Sequence, residues 1–111
     1  MNETYNIEKT ILASMLHSEI DVEVNKNYFT TLFHQKLVIG INRLKELQLC
    51  VDFELLRNSY IKANNWSYDE DNMLVHIMTE VSPFGSTQAV TDYISMLKES
   101  YKSNLDRKYA I

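Results

Sequence analysis

Two glycines, one proline and one cysteine are all that this 111-residue chain has of the residues that punctuate or staple small folds. A β-sandwich or small barrel draws on many turn-forming residues for its tight connections. With only Gly40, Gly85 and Pro83 to place, the composition favours helices. The single Cys50 excludes an internal disulfide, which fits a reducing compartment. Positive charge is scarce too: 11 Lys and Arg stand against 15 Asp and Glu, a net −4. Duplex-DNA binders gather basic side chains to neutralise phosphates, so strong direct DNA binding is not expected. No apolar run approaches the roughly 20 residues that span a bilayer. Met1 to Lys9 is polar, contains Glu3 and Glu8, and lacks the basic-then-apolar order of a signal peptide. The expectation is a cytoplasmic chain with no membrane partner.

What is present suits one soluble globular domain, residues 1–111: 45% of residues are apolar and 23% charged. A domain this short buries only about two-thirds of its unfolded surface. A partner or a second copy would add to its stability. There is no internal repeat and no low-complexity stretch.

Periodicity predicts an all-α fold, a small helical bundle over 5–65 followed by an antiparallel helical hairpin over 68–111. The first helix is expected to start near Asn6, its cap, and to present Ile7, Ile11, Met15 and Leu16 before ending near His17. In 19–25 acids alternate with Ile20, Val22 and Val24, a strand-like pattern that is very short and has no obvious pairing partner, so an irregular turn or one helical turn is expected. Thr30 to Leu49 is the strongest element, with Phe33, Leu37, Ile41, Leu44 and Gln48 on one face. It is apolar nearly all round from Leu37 to Ile41 and is expected at the centre of the core. Asp52 caps a helix expected to reach Ala63, and 64–67 form a break. Ser67 or Asp69 caps the next helix, which carries Leu74, Ile77, Met78 and Val81. Pro83 and Gly85 make the turn, and Ser86 caps a last helix with the stripe Val90, Ile94, Leu97, Tyr101 and Leu105. The hairpin cannot cover its own apolar faces. It must lean on the first unit, on another copy, or on both.

Catalytic and cofactor chemistry is not legible. Gly40 and Gly85 are too far apart for a phosphate-binding loop. His17, His34 and His76 lack metal-ligand spacing, and one cysteine cannot make a zinc knuckle. No cofactor or metal is expected. Cys50 reads as a small buried apolar residue, and Asp69, Glu70 and Asp71 as acids favoured at a helix N-terminus. His34, beside Phe33 at the start of the central helix, is expected to hydrogen-bond backbone or a carboxylate and fix the preceding loop. Lys98, Lys102, Arg107 and Lys108 make the last helix locally basic, which reads as a solvated face.

Taken in order, several segments resemble the N-terminal domain of the bacterial replicative helicase family DnaB. Asn6-Ile7-Glu8 leading into Ile11-Leu12-Ala13-Ser14-Met15-Leu16 is similar to the family's N-x-E element and first helix. Asn27-Tyr28-Phe29 stands where the family has an acid and two aromatics, and His34-Gln35 matches its H-(R/Q). Val51-Asp52, Ser82-Pro83, Asp92-Tyr93-Ile94 and Leu97-Lys98 resemble later elements. The chain departs from the pattern at Asn27 and in the short stretch between His17 and Asn27. The resemblance implies a non-catalytic collar domain that self-associates through its hairpin and receives primase or a helicase loader. The ATPase motor of the family lies in a separate C-terminal domain, so the expectation is a fragment of a longer protein. Met73, Ile77, Val81, Tyr93 and Met96 are the expected interface, and Asn6, Phe33, His34, Asp52 and Pro83 the structural positions. Two alternatives share this architecture: the helicase-binding C-terminal domain of a DnaG-type primase, and a stand-alone phage or plasmid replication adaptor.

Overall fold

A computed structural model describes residues 3–17, 22–58, 66–84 and 86–109, with backbone only for 17 and 106–109. Its helices are α1 (Glu3–His17), α2 (Leu32–Glu46), α3 (Phe53–Leu56), α4 (Tyr68–Glu80) and α5 (Thr87–Tyr109), with one 3₁₀ turn at Lys26–Tyr28. The protein is all-helical, with no strand among the described residues.

The centre of the core is α1 rather than α2. Residues 11–16, Ile-Leu-Ala-Ser-Met-Leu, are buried without interruption, and α1 is packed by α2, α4 and α5. The run contains no charged residue, so nothing in those turns requires water. By contrast, α2 carries Lys36, Arg43 and Lys45 and leaves Ile39 partly exposed, so one of its faces stays open. Each fully buried Ile, Leu or Met on α1 contributes about 1.5–3 kcal/mol. Of the supports open to the last two helices, α1 is the one observed: α4 and α5 pack on it more than on each other.

The caps explain most of the boundaries. Asn6 lies inside α1 instead of capping it, because the helix begins at Glu3, whose carboxylate suits the positive end of the helix dipole. The Asn6 carbonyl accepts the Thr10 hydroxyl at 2.9 Å. Helix α2 stops at Glu46, earlier than its apolar pattern suggests. Gln48 takes a left-handed φ of 60°. The Leu49 amide then bonds the Leu44 carbonyl at 2.9 Å and the Gln48 amide bonds the Lys45 carbonyl at 2.9 Å, which together form a Schellman closure. That turn carries Gln48 and Cys50 outward. Both are exposed, contrary to the core positions expected of them.

Asp52 caps α3 as anticipated, its carboxylate accepting the amides of Glu54 at 3.0 Å and Leu55 at 3.2 Å. The helix is described only to Leu56, with a wider π-type turn at Arg57 and Asn58; residues 59–63 of the expected helix, and 64–65 of the expected break, lie outside the described residues. Ser67, not Asp69, caps α4. Its hydroxyl accepts the Glu70 amide at 3.2 Å while the Glu70 carboxylate accepts the Ser67 amide at 3.2 Å, a reciprocal capping box. Two of the three acids of this first turn are paired: Lys36 donates to Glu70 at 2.9 Å, and Arg57 grips Asp71 through two bonds of 2.9 and 2.7 Å. Lys36 also sits over the Trp66 ring, and Trp66 meets Phe33 edge-on. Together these contacts fasten the start of α4 to α2 and to the end of α3.

Two connections are held by side chains in place of sheet partners. Residues 22–24 run extended, with Val24 buried and Glu23 exposed, which is the alternation visible in the sequence. Their carbonyls are satisfied from α2, by Lys45 on Val22 at 2.6 Å and Asn42 on Val24 at 2.9 Å. The link between α4 and α5 is anchored to α1, where the buried Ser14 hydroxyl accepts the Phe84 amide at 2.7 Å. Phe84 then stacks on Tyr93 at 4.5 Å with rings only 7° apart. Val81 already has extended backbone, so α4 ends at Glu80, three residues before the exposed Pro83. Ser86 caps α5 through the Ala89 amide at 3.2 Å, and Val90 and Leu97 bury the α5 stripe. Gly85 lies outside the described residues.

Candidate functional site

The most concentrated polar chemistry is buried. Glu8, on the second turn of α1, is fully buried, as is His34 on the first turn of α2. Glu8 Oε1 receives His34 Nδ1–H at 2.8 Å and the Thr31 amide at 3.3 Å. Glu8 Oε2 receives the Thr30 amide at 2.9 Å and the Thr30 hydroxyl at 2.8 Å. One carboxylate therefore ties α1 to the loop that leads into α2 and to α2 itself. From the first turn of α2, Gln35 also donates back to the Phe29 carbonyl of that loop at 2.6 Å. This is the arrangement expected for His34: its ring bonds a carboxylate and the preceding loop is fixed.

Burial pushes the Glu8 carboxyl up, but the bonds from His34 and Thr30 outweigh it and hold the group below the usual carboxylate range. Glu8 is thus an anion in the interior whose oxygens are each doubly satisfied. Neither partner reaches solvent, so the pair positions helices and offers nothing to a substrate directly.

A cleft of about 170 Å³ lies beside this pair, between α1 and α4. Tyr5, Lys9, His34 and Phe33 line one side; Asn72, Met73, His76 and Ile77 line the other. Tyr5 leans on the His34 ring at 4.9 Å, and Lys9 lies over the Tyr5 ring at 4.9 Å from its centroid. Lys9 Nζ donates to His76 Nε2 at 3.3 Å, while His76 Nδ1–H faces Glu80 one turn along α4. His34 Nε2 is buried and has no hydrogen-bond partner among the described residues. A second, wider groove of about 400 Å³ separates the extended segment at Val22 from α5, where Thr91, Ser95 and Lys98 form its floor.

The residues expected at an interface are not gathered into one patch. Met73 is 37% exposed and Met96 54%, each available to a partner. Tyr93 is half-buried under Phe84, and Val81 is half-buried at the end of α4. Ile77 is a correction: it is 1% exposed and belongs to the core, because that face of α4 turns onto α1. Met73 and Ile77 line the same cleft. Leu32 at 67% and Tyr68 at 80% exposure are larger open apolar surfaces that helical periodicity did not single out, since each stands at a helix start. No group of three or more metal-ligating side chains occurs among the described residues, and the side chain of His17 lies outside them. Among the described helices none is long and apolar enough to cross a membrane.

Comparison with protein-family models, with curated proteins and with solved structures finds no match to this chain.

Proposed function

We propose that this chain is a non-catalytic collar domain of the kind carried by replicative DNA helicases of the DnaB family. It works in the cytoplasm by associating with further copies of itself and by receiving primase or a helicase loader. The observation that supports this reading is the Glu8–His34 bond. Glu8 belongs to the segment similar to the family's N-x-E element and His34 to the segment similar to its H-(R/Q). The two lie 26 residues apart, yet they meet at 2.8 Å in the interior. Separate pieces of one resemblance therefore converge on one structural task. Exposed Met73 on α4 and Met96 on α5 suit a docking role, because methionine adapts to varied partner surfaces.

Sedimentation velocity across a concentration series tests self-association, and capture of a purified DnaG-type primase on the immobilised chain tests docking. The reading expects concentration-dependent assembly that Met73→Glu or Met96→Glu weakens. A chain that stays monomeric throughout and fails to retain primase would overturn it.

A further inference from the structure

We propose that the groove between residues 22–25 and α5 binds an acidic peptide in extended form, which pairs as a strand with the backbone of Glu23 and sets its carboxylates against Lys26, Lys98 and Lys102. This proposal stands apart from the collar reading, since it requires neither self-association nor primase.

The extended segment has one edge in use and one edge free. In extended chain the N–H and C=O of a residue point to the same side, and successive residues alternate. The carbonyls of Val22 and Val24 both turn to α2, where Lys45 and Asn42 donate to them at 2.6 and 2.9 Å. Asn25 is extended as well, with φ −113° and ψ 123°. The N–H and C=O of Glu23 and the N–H of Asn25 therefore point away from α2. None of these three groups has a hydrogen-bond partner among the described residues, whereas the Asn25 carbonyl accepts the Tyr28 amide at 3.1 Å. While α2 closes one flank of the segment, the groove of about 400 Å³ opens on the other, lined by Glu23 and Asn25 and by Thr91, Ser95 and Lys98 of α5. A free strand edge is a template for a further strand, and main-chain pairing on such an edge is a general way to hold an extended peptide. Among the described residues no strand of this protein takes that place.

Charge narrows the partner to an acidic one. The chain carries a net −4, yet this end gathers Lys26 beside Asn25, Lys98 in the groove and Lys102 one turn further along α5. All three are exposed, and none stands in an ion pair among the described residues. Against them the groove sets the single acid Glu23. Val22, Tyr28 and Ile94 add apolar surface, so a peptide in which acidic and apolar residues alternate suits the site. A nucleic-acid strand would also meet the lysines, but its sugar-phosphate backbone has no N–H to give to the Glu23 carbonyl.

The test is an amide-resolved NMR titration of the labelled chain with an acetylated, amidated hexapeptide of alternating Asp and Val. Saturable shifts at Glu23, Asn25, Ser95 and Lys98 are expected. The same peptide with every amide N-methylated keeps its charges but cannot pair, and should bind at least about tenfold more weakly. A peptide with Lys in place of Asp should not bind, and an oligothymidylate of the same net charge should bind more weakly than the Asp peptide. Lys98→Glu should weaken binding several-fold. Glu23→Pro removes the amide donor where the backbone is already extended, and should weaken binding while circular dichroism stays unchanged. Glu23→Gln keeps the amide and should bind at least as tightly as the parent. Equal binding of the methylated peptide, equal or tighter binding of oligothymidylate, shifts that never saturate, or full binding by folded Glu23→Pro would overturn the proposal.

Discussion

Replacing Glu8 by Gln tests the buried carboxylate most directly, because the two side chains have nearly the same shape. In the parent, Glu8 accepts four hydrogen bonds, from His34 Nδ1, the Thr31 amide, the Thr30 amide and the Thr30 hydroxyl. A glutamine keeps one acceptor oxygen and turns an NH₂ group onto the remaining donors. Two donors, either His34 Nδ1–H with the Thr31 amide or the Thr30 amide with its hydroxyl, then lose their acceptor, at about 1–3 kcal/mol for each that stays out of water. Domains of this size have only about 5–15 kcal/mol to lose. At roughly 4 °C or more per kcal/mol, the melting temperature should fall by about 15 °C or more. Urea unfolding followed by far-UV circular dichroism gives the free-energy difference. The pH dependence carries a sign. Glu8 is held below its ordinary range in the folded state, so its contribution is fully present above the unfolded value of about 4.3 and fades as pH drops through the lower folded value. The gap between parent and Glu8→Gln should therefore be constant near pH 7 and close on acidification below about pH 4. A variant within about 1 kcal/mol of the parent at pH 7, or a gap that widens in acid, would refute the reasoning.

Three further substitutions follow from the packing. Gln48→Gly relieves the left-handed strain at φ 60° and should stabilise the chain by about 1 kcal/mol in urea unfolding. Ser67→Ala removes one half of the α4 capping box and should cost about 1 kcal/mol, with less loss for Ser67→Asp. Ile77→Asp places an unpaired charge in the core and should abolish cooperative melting, whereas Met73→Glu on the same helix should leave the melting temperature within a few degrees and act on association alone.

The caps were the most readable part of the fold, because they depend on neighbours a few residues apart. Asp52, Ser67 and Ser86 each accept the amides that their place before an apolar run implied. His34 was readable in kind, as a ring that bonds a carboxylate, though the sequence did not name Glu8. Periodicity misplaced the centre of the core. It measures how sharply apolar residues gather on one face, and α2 is the more one-sided helix of the two, while its lysines and arginine keep the other face in water. The end of α2 was missed because a left-handed cap is normally marked by glycine, and Gln48 gives no such signal. Cys50 was misjudged for the same reason, since its exposure follows from that turn. The cleft was not legible at all. Lys9 and His76 are 67 residues apart, and only the packing of α4 on α1 brings them within 3.3 Å.

An apolar pair of similar volume in place of Glu8 and His34 would often be as stable or more so, because burying a charge is costly. The benefit of the polar pair is geometric. An apolar contact tolerates small slides of one helix along another, whereas four directional bonds to one carboxylate fix the rotation of α1 and its height against α2. Neighbouring residues depend on that setting. Lys9 follows Glu8 directly and Tyr5 lies one turn before Lys9, and both line the cleft against α4. Ser14, two turns beyond Glu8, holds the Phe84 amide and so places the start of α5. A rotation of α1 by one residue, about 100°, would move all three off their partners at once. The buried carboxylate thereby sets the register of both the cleft and the α4–α5 link, although it touches neither.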